Sequence, residues 1–519
     1  MAIKRGSAKY DNLYGSLDTS TSSPAILADE ARLLRLGYKQ ELQRKLSSFA
    51  TFGLSFANIG ILANTSATFQ TVLQRGGPMI MLVTWNGVAV FMACIALALG
   101  EICSMYATSG GLYYWAYQLL QSHPRFSNRA PFLAFMVGWI YSLGCVIAFG
   151  ANNVIVALSV GSLIELAFGY QVGQIDIMWI AVAVTVIHGI LNTFNLRSLA
   201  ILNVSNVAWA FGGLIYVILV LSIGTEHRQS LEWILTDYEN RTGFSSPIYV
   251  VLLGMVGAAY SQFGFEAGVT VSEETKEADV SAPLAMIMSL VASWFVGLVF
   301  LIVLLFSIQD IDAILDSKLD FPVSQLIWDA VGVYGTFGFL VLVTMSQFCT
   351  GAATLTTVSR MVYALARDRA VPKNEWLRKI NAYQLPGNAV CCVVVITCIC
   401  VIGPFPLSED VFEIIVSATT ITIHFAFALV LGCRLAARGY SDKGRFSLGC
   451  MSVPVTAIAF CWAIVAVCVF TLPTSYPIQV STMNFSGVAF LGVLMTTWTC
   501  WRLWGIYQYR GPQAQNDEE

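Results

Sequence analysis

The sequence predicts an all-α polytopic membrane protein with twelve transmembrane helices, and three observations lead there. Only 11% of the 519 residues are charged while 56% are hydrophobic, and the mean hydropathy is +0.69. An ordinary soluble domain carries about 25% charged residues and needs them to cover its surface. Apolar runs close to the roughly 20 residues that a helix needs to cross a bilayer recur along the chain. These runs are continuously apolar and lack the alternation of a barrel strand, so helices are the spanning element.

The runs cover 48–73, 77–99, 131–164, 178–194, 198–224 and 247–271, then 283–308, 330–359, 387–403, 411–433, 448–472 and 483–501. The third and eighth exceed a minimal span and are expected to tilt or to extend past the membrane. The chain therefore divides into an N-terminal tail (1–47), a twelve-helix domain (48–505) and a C-terminal tail (506–519). Charge orients it. With the N-terminus inside, all but four of the 28 Lys and Arg residues face the cytosol; the exceptions are Arg75, Arg228, Arg241 and Lys318. That asymmetry satisfies the positive-inside rule and puts both termini in the cytosol. Residues 1–47 hold no apolar signal-peptide core, so the first span is expected to act as its own insertion signal. The sequon Asn240-Arg241-Thr242 falls in a long loop that this topology places outside, which makes Asn240 a glycosylation candidate. Asn64-Thr65-Ser66 and Asn203-Val204-Ser205 match the same pattern inside spans.

Several function classes drop out. A net charge of −3 gives no sign of a nucleic-acid partner. The thirteen cysteines sit mostly in apolar runs, as do Cys391, Cys392, Cys398 and Cys400, and show no metal or disulfide spacing. They read as small core residues. Four histidines without an HExxH or GxSxG motif argue against an intramembrane enzyme, and no ATP-binding motif supports a primary pump. No cofactor and no metal site is expected.

Two spans are not uniformly apolar. The first reads Phe56-Ala57-Asn58-Ile59-Gly60-Ile61-Leu62-Ala63-Asn64-Thr65-Ser66 at its middle. The sixth reads Gly257-Ala258-Ala259-Tyr260-Ser261-Gln262-Phe263-Gly264-Phe265-Glu266-Ala267-Gly268. An unpaired backbone group in hydrocarbon costs several kcal/mol, so a helix breaks only where it lines a cavity. Broken helices offer their amide ends to anions and free carbonyls to cations. Spans one and six are equivalent if spans one to five and six to ten form two inverted repeats, and paired interruptions then mark a transport site. The competing reading takes these glycines as close-packing contacts between helices.

Charges inside spans are costly and functional by default. Glu266 is the acidic residue well inside the sixth run, a candidate proton carrier. His188 and His424 read as packing residues. Glu101 and Arg360 read as helix ends or a gate network, and Glu165 and Glu413 need no special role. The fifth and seventh spans lack Lys, so no lysine stands in for a coupling cation there.

Several ordered motifs carry a family likeness. They are Gly37-Tyr38-Lys39-Gln40-Glu41-Leu42-Gln43-Arg44 before the first span, and Glu101 with Thr108-Ser109-Gly110-Gly111-Leu112-Tyr113-Tyr114-Trp115 after the second. Phe265-Glu266-Ala267 and Ser272-Glu273-Glu274-Thr275-Lys276-Glu277-Ala278-Asp279 with Ala282-Pro283 follow at the sixth. Ser359-Arg360-Met361-Val362-Tyr363-Ala364 and Arg367-Asp368-Arg369-Ala370-Val371-Pro372 close the eighth. Gly444-Arg445-Phe446-Ser447-Leu448-Gly449 opens the eleventh, and Leu472-Pro473 with Tyr476-Pro477 ends it. From about 30 to 505 the chain resembles the amino acid–polyamine–organocation (APC) superfamily, in its fungal and plant amino-acid, GABA and choline permease branch.

The resemblance implies a LeuT-type 5+5 inverted repeat (about 48–224 and 247–433) plus two C-terminal helices. It implies solute contacts at Asn58, Ile59, Gly60 and Ile61 in span one, and at Tyr260, Ser261, Gln262, Phe263 and Gly264 in span six. Trp139 and Ser142 in span three are further candidates. The chain departs from the pattern at Ala63-Asn64 and Ala107, where relatives carry Pro, at Leu284, where many carry Arg, and at Glu266, where many carry Asp. The expected function is secondary active transport of a small amino compound, an amino acid or GABA, by alternating access with a proton as coupling ion. Choline or a polyamine is the alternative solute, since Tyr260, Phe263 and Trp139 offer cation–π faces. A transporter-like nutrient sensor is the alternative class, disfavoured by the short tails. The plasma membrane is favoured over a vacuolar or other organelle membrane.

Overall fold

The computed structural model describes residues 24–40, 44, 46–194, 196–225, 227–315, 317, 319, 321, 323–383, 385–407, 411–439, 444–479 and 483–512. Residues 1–23 of the expected N-terminal tail and 513–519 of the C-terminal tail lie outside the described residues.

Every expected apolar run is helical. α1 (Pro24–Arg35) precedes the bundle, and the first run is two helices, α2 (Ser48–Ile59) and α3 (Ile61–Gln74). Then come α4 (Gly77–Met105), α5 (Gly111–Gln121), α6 (Ala130–Phe168), α7 (Gln174–Phe194) and α8 (Leu196–Gly224). The sixth run is α9 (Pro247–Ser261) followed, after a break, by a 3-10 segment Phe265–Glu274. α10 (Ala278–Phe306), α11 (Val323–Arg367), α12 (Gly387–Thr397), α13 (Val411–Ala436), α14 (Ser452–Val469) and α15 (Ser486–Cys500) complete it. No named strand occurs among the described residues.

Ten described helical stretches are long and apolar enough to cross a membrane. The first and last expected spans are not among them, for different reasons. The first is divided at Gly60 into pieces of 12 and 14 residues. In the last, the α-helical part is 15 residues and continues as a π-helical turn, Trp501–Gly505. At 39 residues, α6 is about 58 Å long at 1.5 Å per residue, well beyond a bilayer core of about 30 Å. The short buried helix α5 forms from the Gly111-to-Gln121 stretch, which was not expected as an element.

Local chemistry sets the ends that matter. Ser47 caps α2 by accepting from the Ala50 amide (3.2 Å). Pro247 opens α9 at a position whose N–H would be unpaired anyway. Around the two interrupted helices pack α4, α6, α8, α10, α11 and α13. The bundle encloses amides that lipid would not tolerate: Asn64, Asn152, Asn153, Asn192, Asn206, Gln262 and Gln347 are all buried. A polar centre enclosed by apolar helices is thus the dominant feature of the bundle.

The loop carrying Asn240 is folded rather than loose. The Asn240 side chain accepts from the Thr242 amide (3.0 Å) and hydroxyl (2.7 Å) and donates to the Phe244 carbonyl (2.6 Å). Thr242 is buried, and the loop bridges to Arg75.

Candidate solute site and its two latches

The first interruption is a one-residue break. Gly60 adopts φ 59°, ψ 41°, a left-handed conformation that ends α2 and starts α3. A side chain there would also collide, since a Cβ would lie 2.8 Å from Thr350 Cγ2. The break frees the Ile59 carbonyl, and Asn64 answers it with its side-chain amide (2.8 Å). Gln347 of α11 in turn donates to Asn64 and to Asn152 of α6 (3.1 Å each). Asn206 of α8 reaches the Ala57 carbonyl and the Thr350 hydroxyl (3.4 Å each) and accepts from Ser346 (2.8 Å). The amides missed by motif reading therefore brace the break. Their signal was present, because polar side chains within spans need partners.

The second interruption takes three residues, Gln262 to Gly264. Gly264 has φ 96°, and Gln262 ties back to the Trp85 carbonyl of α4 (3.1 Å). The two breaks touch. Asn58 donates to the Gly264 carbonyl (3.2 Å), and a Cβ on Gly264 would sit 2.8 Å from the Asn58 carbonyl oxygen. Four residues further on, the Gly268 amide donates to Ser55 of α2 (3.0 Å).

In the first, third and sixth runs several buried polar atoms have no hydrogen-bond partner: Asn58 Oδ1, Tyr260 OH, Gln262 Oε1, Ser142 Oγ and Glu266 Oε2. Glu266 is 2% exposed; its other oxygen accepts from Tyr141 of α6 (3.1 Å). Tyr141 was not among the expected residues, although it precedes Ser142. α3 begins at Gly60 without a side-chain cap, so its first amides have no side-chain acceptor. The site thus pairs an uncapped helix start, which suits a carboxylate, with an unpaired carboxylate oxygen and freed carbonyls, which suit an ammonium.

The structure brings Asn58, Ile59, Gly60 and Ile61 together with Tyr260, Ser261, Gln262, Phe263 and Gly264. It does not bring Trp139 there. The Trp139 indole donates to the Ala370 carbonyl (3.0 Å), beyond the end of α11, and stacks on Phe135. His188 is held at both nitrogens, by Asn153 (3.0 Å) and the Phe348 carbonyl (2.9 Å), as a packing residue should be.

Ion pairs close the bundle above and below the junction. On the face that carries the N-terminal segment, here the tail face, Arg360 meets Glu274 (3.4 Å) and Arg367 meets Glu273 (3.1 Å). Ser109 donates its amide (3.2 Å) and hydroxyl (2.6 Å) to Glu273. Tyr38 and Tyr113 both donate to Asp368 (2.9 and 2.8 Å), and the Arg367 guanidinium lies over the Tyr38 ring. Gln40 and Arg44 hold the Glu273 and Thr275 carbonyls (2.7 and 2.6 Å), and Asp29 takes the Glu277 amide (2.7 Å). Burial lifts the Asp368 carboxyl from 3.8 to about 6, against the pull of Arg367 and the two phenols. Burial also raises Asp29 and lowers Arg44. On the far face Arg75, ending α3, pairs with Glu413 at the start of α13. That pairing gives Glu413 a partner the sequence had not suggested. Glu101 lies apart from both latches, bound by Arg434 (3.3 Å) and Ser447 (3.1 Å).

Sequence comparison settles which kind of protein carries these features. The family model for amino acid permease matches residues 46–495, nearly the whole helical domain. The chain belongs to the amino acid permease family. Within the APC superfamily, this permease is 30% identical over 508 residues to the amino-acid permease BAT1 of Arabidopsis thaliana, covering 94% of this chain and 97% of the relative. Its similarity to the BAT1 homolog of Oryza sativa subsp. japonica is the same, 30% over 510 residues, with 94% and 96% covered. The GABA-specific permease of Saccharomyces cerevisiae is 28% identical over 521 residues, with 95% and 87% covered. A permease moves solutes and is not an enzyme, and small amino compounds are the class this permease handles.

Proposed function

We propose that this permease is a secondary active transporter of an amino acid or GABA, working by alternating access and coupled to protons. The observation that carries this reading is the contact between the two breaks, Asn58 to Gly264. There, the Gly264 carbonyl accepts from the Asn58 side chain of the other break as well as from the Ala267 amide of its own 3-10 segment, so the two interruptions meet inside the bundle. The solute carboxylate sits at the amide end of α3, and its ammonium sits toward the carbonyls freed after Ser261 and Glu266 Oε2. Asn58, Ile59, Gly60, Ile61, Ser142, Tyr260, Ser261, Gln262, Phe263 and Gly264 are the proposed contacts. Trp139 is left out on the strength of its bond to Ala370.

Glu266 is the proposed proton carrier: it is buried, its Oε2 faces no cation, and a proton or an ammonium neutralises it. The architecture proposed is twelve spans, with 48–224 and 247–433 as inverted repeats followed by two further helices. The interruptions fall in the first and sixth runs, the equivalent places of such repeats. Both termini are taken as cytosolic from the Lys and Arg distribution, in the plasma membrane. The tail-face latch is then the inner gate and Arg75–Glu413 the outer one. A glycan on Asn240 would be added before its loop closes, because Thr242 is buried in the finished fold.

Choline or a polyamine is the second reading. Tyr260 and Phe263 lie with ring centroids 5.3 Å apart, and their faces suit a cation. The test is uptake of radiolabelled amino acids, GABA, choline and spermidine into reconstituted vesicles under an imposed pH gradient. Accumulation of an amino acid or GABA, with competition that requires a free carboxylate, supports the first reading. Competition by carboxylate-free quaternary amines supports the second.

A further inference from the structure

Where α4, α13 and α14 end together at the tail face, the structure contains a cavity of 330 Å³ far from the two breaks in sequence and in contacts. Its lining mixes apolar Met105, Leu435 and Val453 with two arginines, Arg434 and Arg438. The carboxylate in its wall, Glu101, is already spoken for. One oxygen accepts from Ser447 Oγ (3.1 Å) and the Leu448 amide (3.2 Å); the other accepts from Ser452 Oγ and Arg434 (3.3 Å). Glu101 therefore satisfies the amide end of α14, and its charge is matched by Arg434. Arg438 is left as an exposed cation with no side-chain partner among the described residues.

The rim is held in place. Phe446 donates its amide to Ser104 Oγ (2.9 Å), and Gly444 packs against Ser104 so closely that a Cβ would come within 2.7 Å of that oxygen. A second cation, Arg445, stands on the same loop, 61% exposed and 3.6 Å from Asp279. Beside the lining residues Gly449 and Ser452, Met451 is 60% exposed, so an apolar edge leads into the cavity.

We propose that this cavity holds the headgroup of an anionic phospholipid, with the phosphate on Arg438 and Arg434 and the glycerol and first methylenes against Leu435 and Val453. Basic pockets between spans at the membrane surface suit such headgroups, and the guanidinium fork suits phosphate oxygens. A free phosphate compound would match the arginines but would leave the apolar wall uncovered. The apolar wall is therefore what selects a lipid.

The test uses the full chain, purified into nanodiscs of phosphatidylcholine with a minor share of phosphatidylinositol 4-phosphate and released for native mass spectrometry. Wild type is expected to retain the anionic lipid in preference to phosphatidylcholine. Arg438→Gln is expected to retain about five-fold less, the worth of one surface cation, and Arg438→Lys an intermediate amount. Arg125→Gln, which removes an exposed arginine elsewhere, is expected to match wild type. Equal retention by Arg438→Gln and wild type would overturn the site. Binding of soluble glycerophosphoinositol 4-phosphate as tight as that of the lipid would overturn the lipid assignment. Neither outcome depends on whether the protein transports amino acids.

Discussion

Asn58 donates its side-chain amide to the main-chain carbonyl of Gly264 across 3.2 Å, joining the interruptions of two helices 206 residues apart in sequence. The bond ties the end of α2 to the residue at which the sixth run turns out of α9. In the proposed site, a solute entering between the breaks would compete with or extend this contact, and movement of either half-helix would be felt at the other.

Loss of proton coupling is expected first at Glu266. Glu266→Gln keeps the shape and the Tyr141 contact but removes the charge. Accumulation driven by a pH gradient should vanish, while solute exchange across the membrane partly survives. Uptake and counterflow in the same proteoliposomes check both, and undiminished accumulation would remove Glu266 from the coupling step.

The tail-face latch should respond to pH through Asp368. Its carboxyl titrates near 6 when buried in the latch and near 3.8 when unburied, so the closed form binds the proton more tightly. Closure is therefore favoured in acid, loses that advantage as pH rises from about 4 through about 6, and changes little above. The window is worth on the order of 100-fold in the closed–open ratio. Spin-label distances across the tail face at pH 5 and 7.5 measure it, and Asp368→Asn should flatten the response.

Opening of the far face should become easier when the Arg75–Glu413 pair is cut. Glu413 is 38% exposed, so solvent screens the pair, and Glu413→Gln is expected to cost only about 1 kcal/mol. That corresponds to about five-fold faster solute release toward that side. The exchanged double variant, Arg75→Glu with Glu413→Arg, should recover most of the wild-type rate, which stopped-flow release assays can follow.

Much of this architecture was legible because lipid imposes simple rules. Run length and lack of charge located the ten described helical stretches long and apolar enough to cross a membrane, and the polar residues around Gly60 and Gly264 located both interruptions. The latch residues were also visible, but only as scattered motifs. Tyr38, Ser109, Tyr113, Glu273, Arg367 and Asp368 lie on four separate segments, and no local pattern says that they converge. Glu413 illustrates the same limit, since its partner Arg75 is 338 residues away. Trp139 marks a further limit, since sequence does not show that its indole donates to the Ala370 carbonyl.

If main chain at the two breaks holds the solute, a side chain added at either glycine should weaken binding. Saturation binding of the transported solute should be measured on purified Gly60→Ala, Gly264→Ala and, as a control, Gly212→Ala, whose added Cβ meets nothing within 4 Å. A left-handed alanine costs about 1–2 kcal/mol before any clash is counted. Binding at least about ten-fold weaker is therefore predicted for the first two, with wild-type binding for the third. Wild-type affinity in both Gly60→Ala and Gly264→Ala would contradict the account.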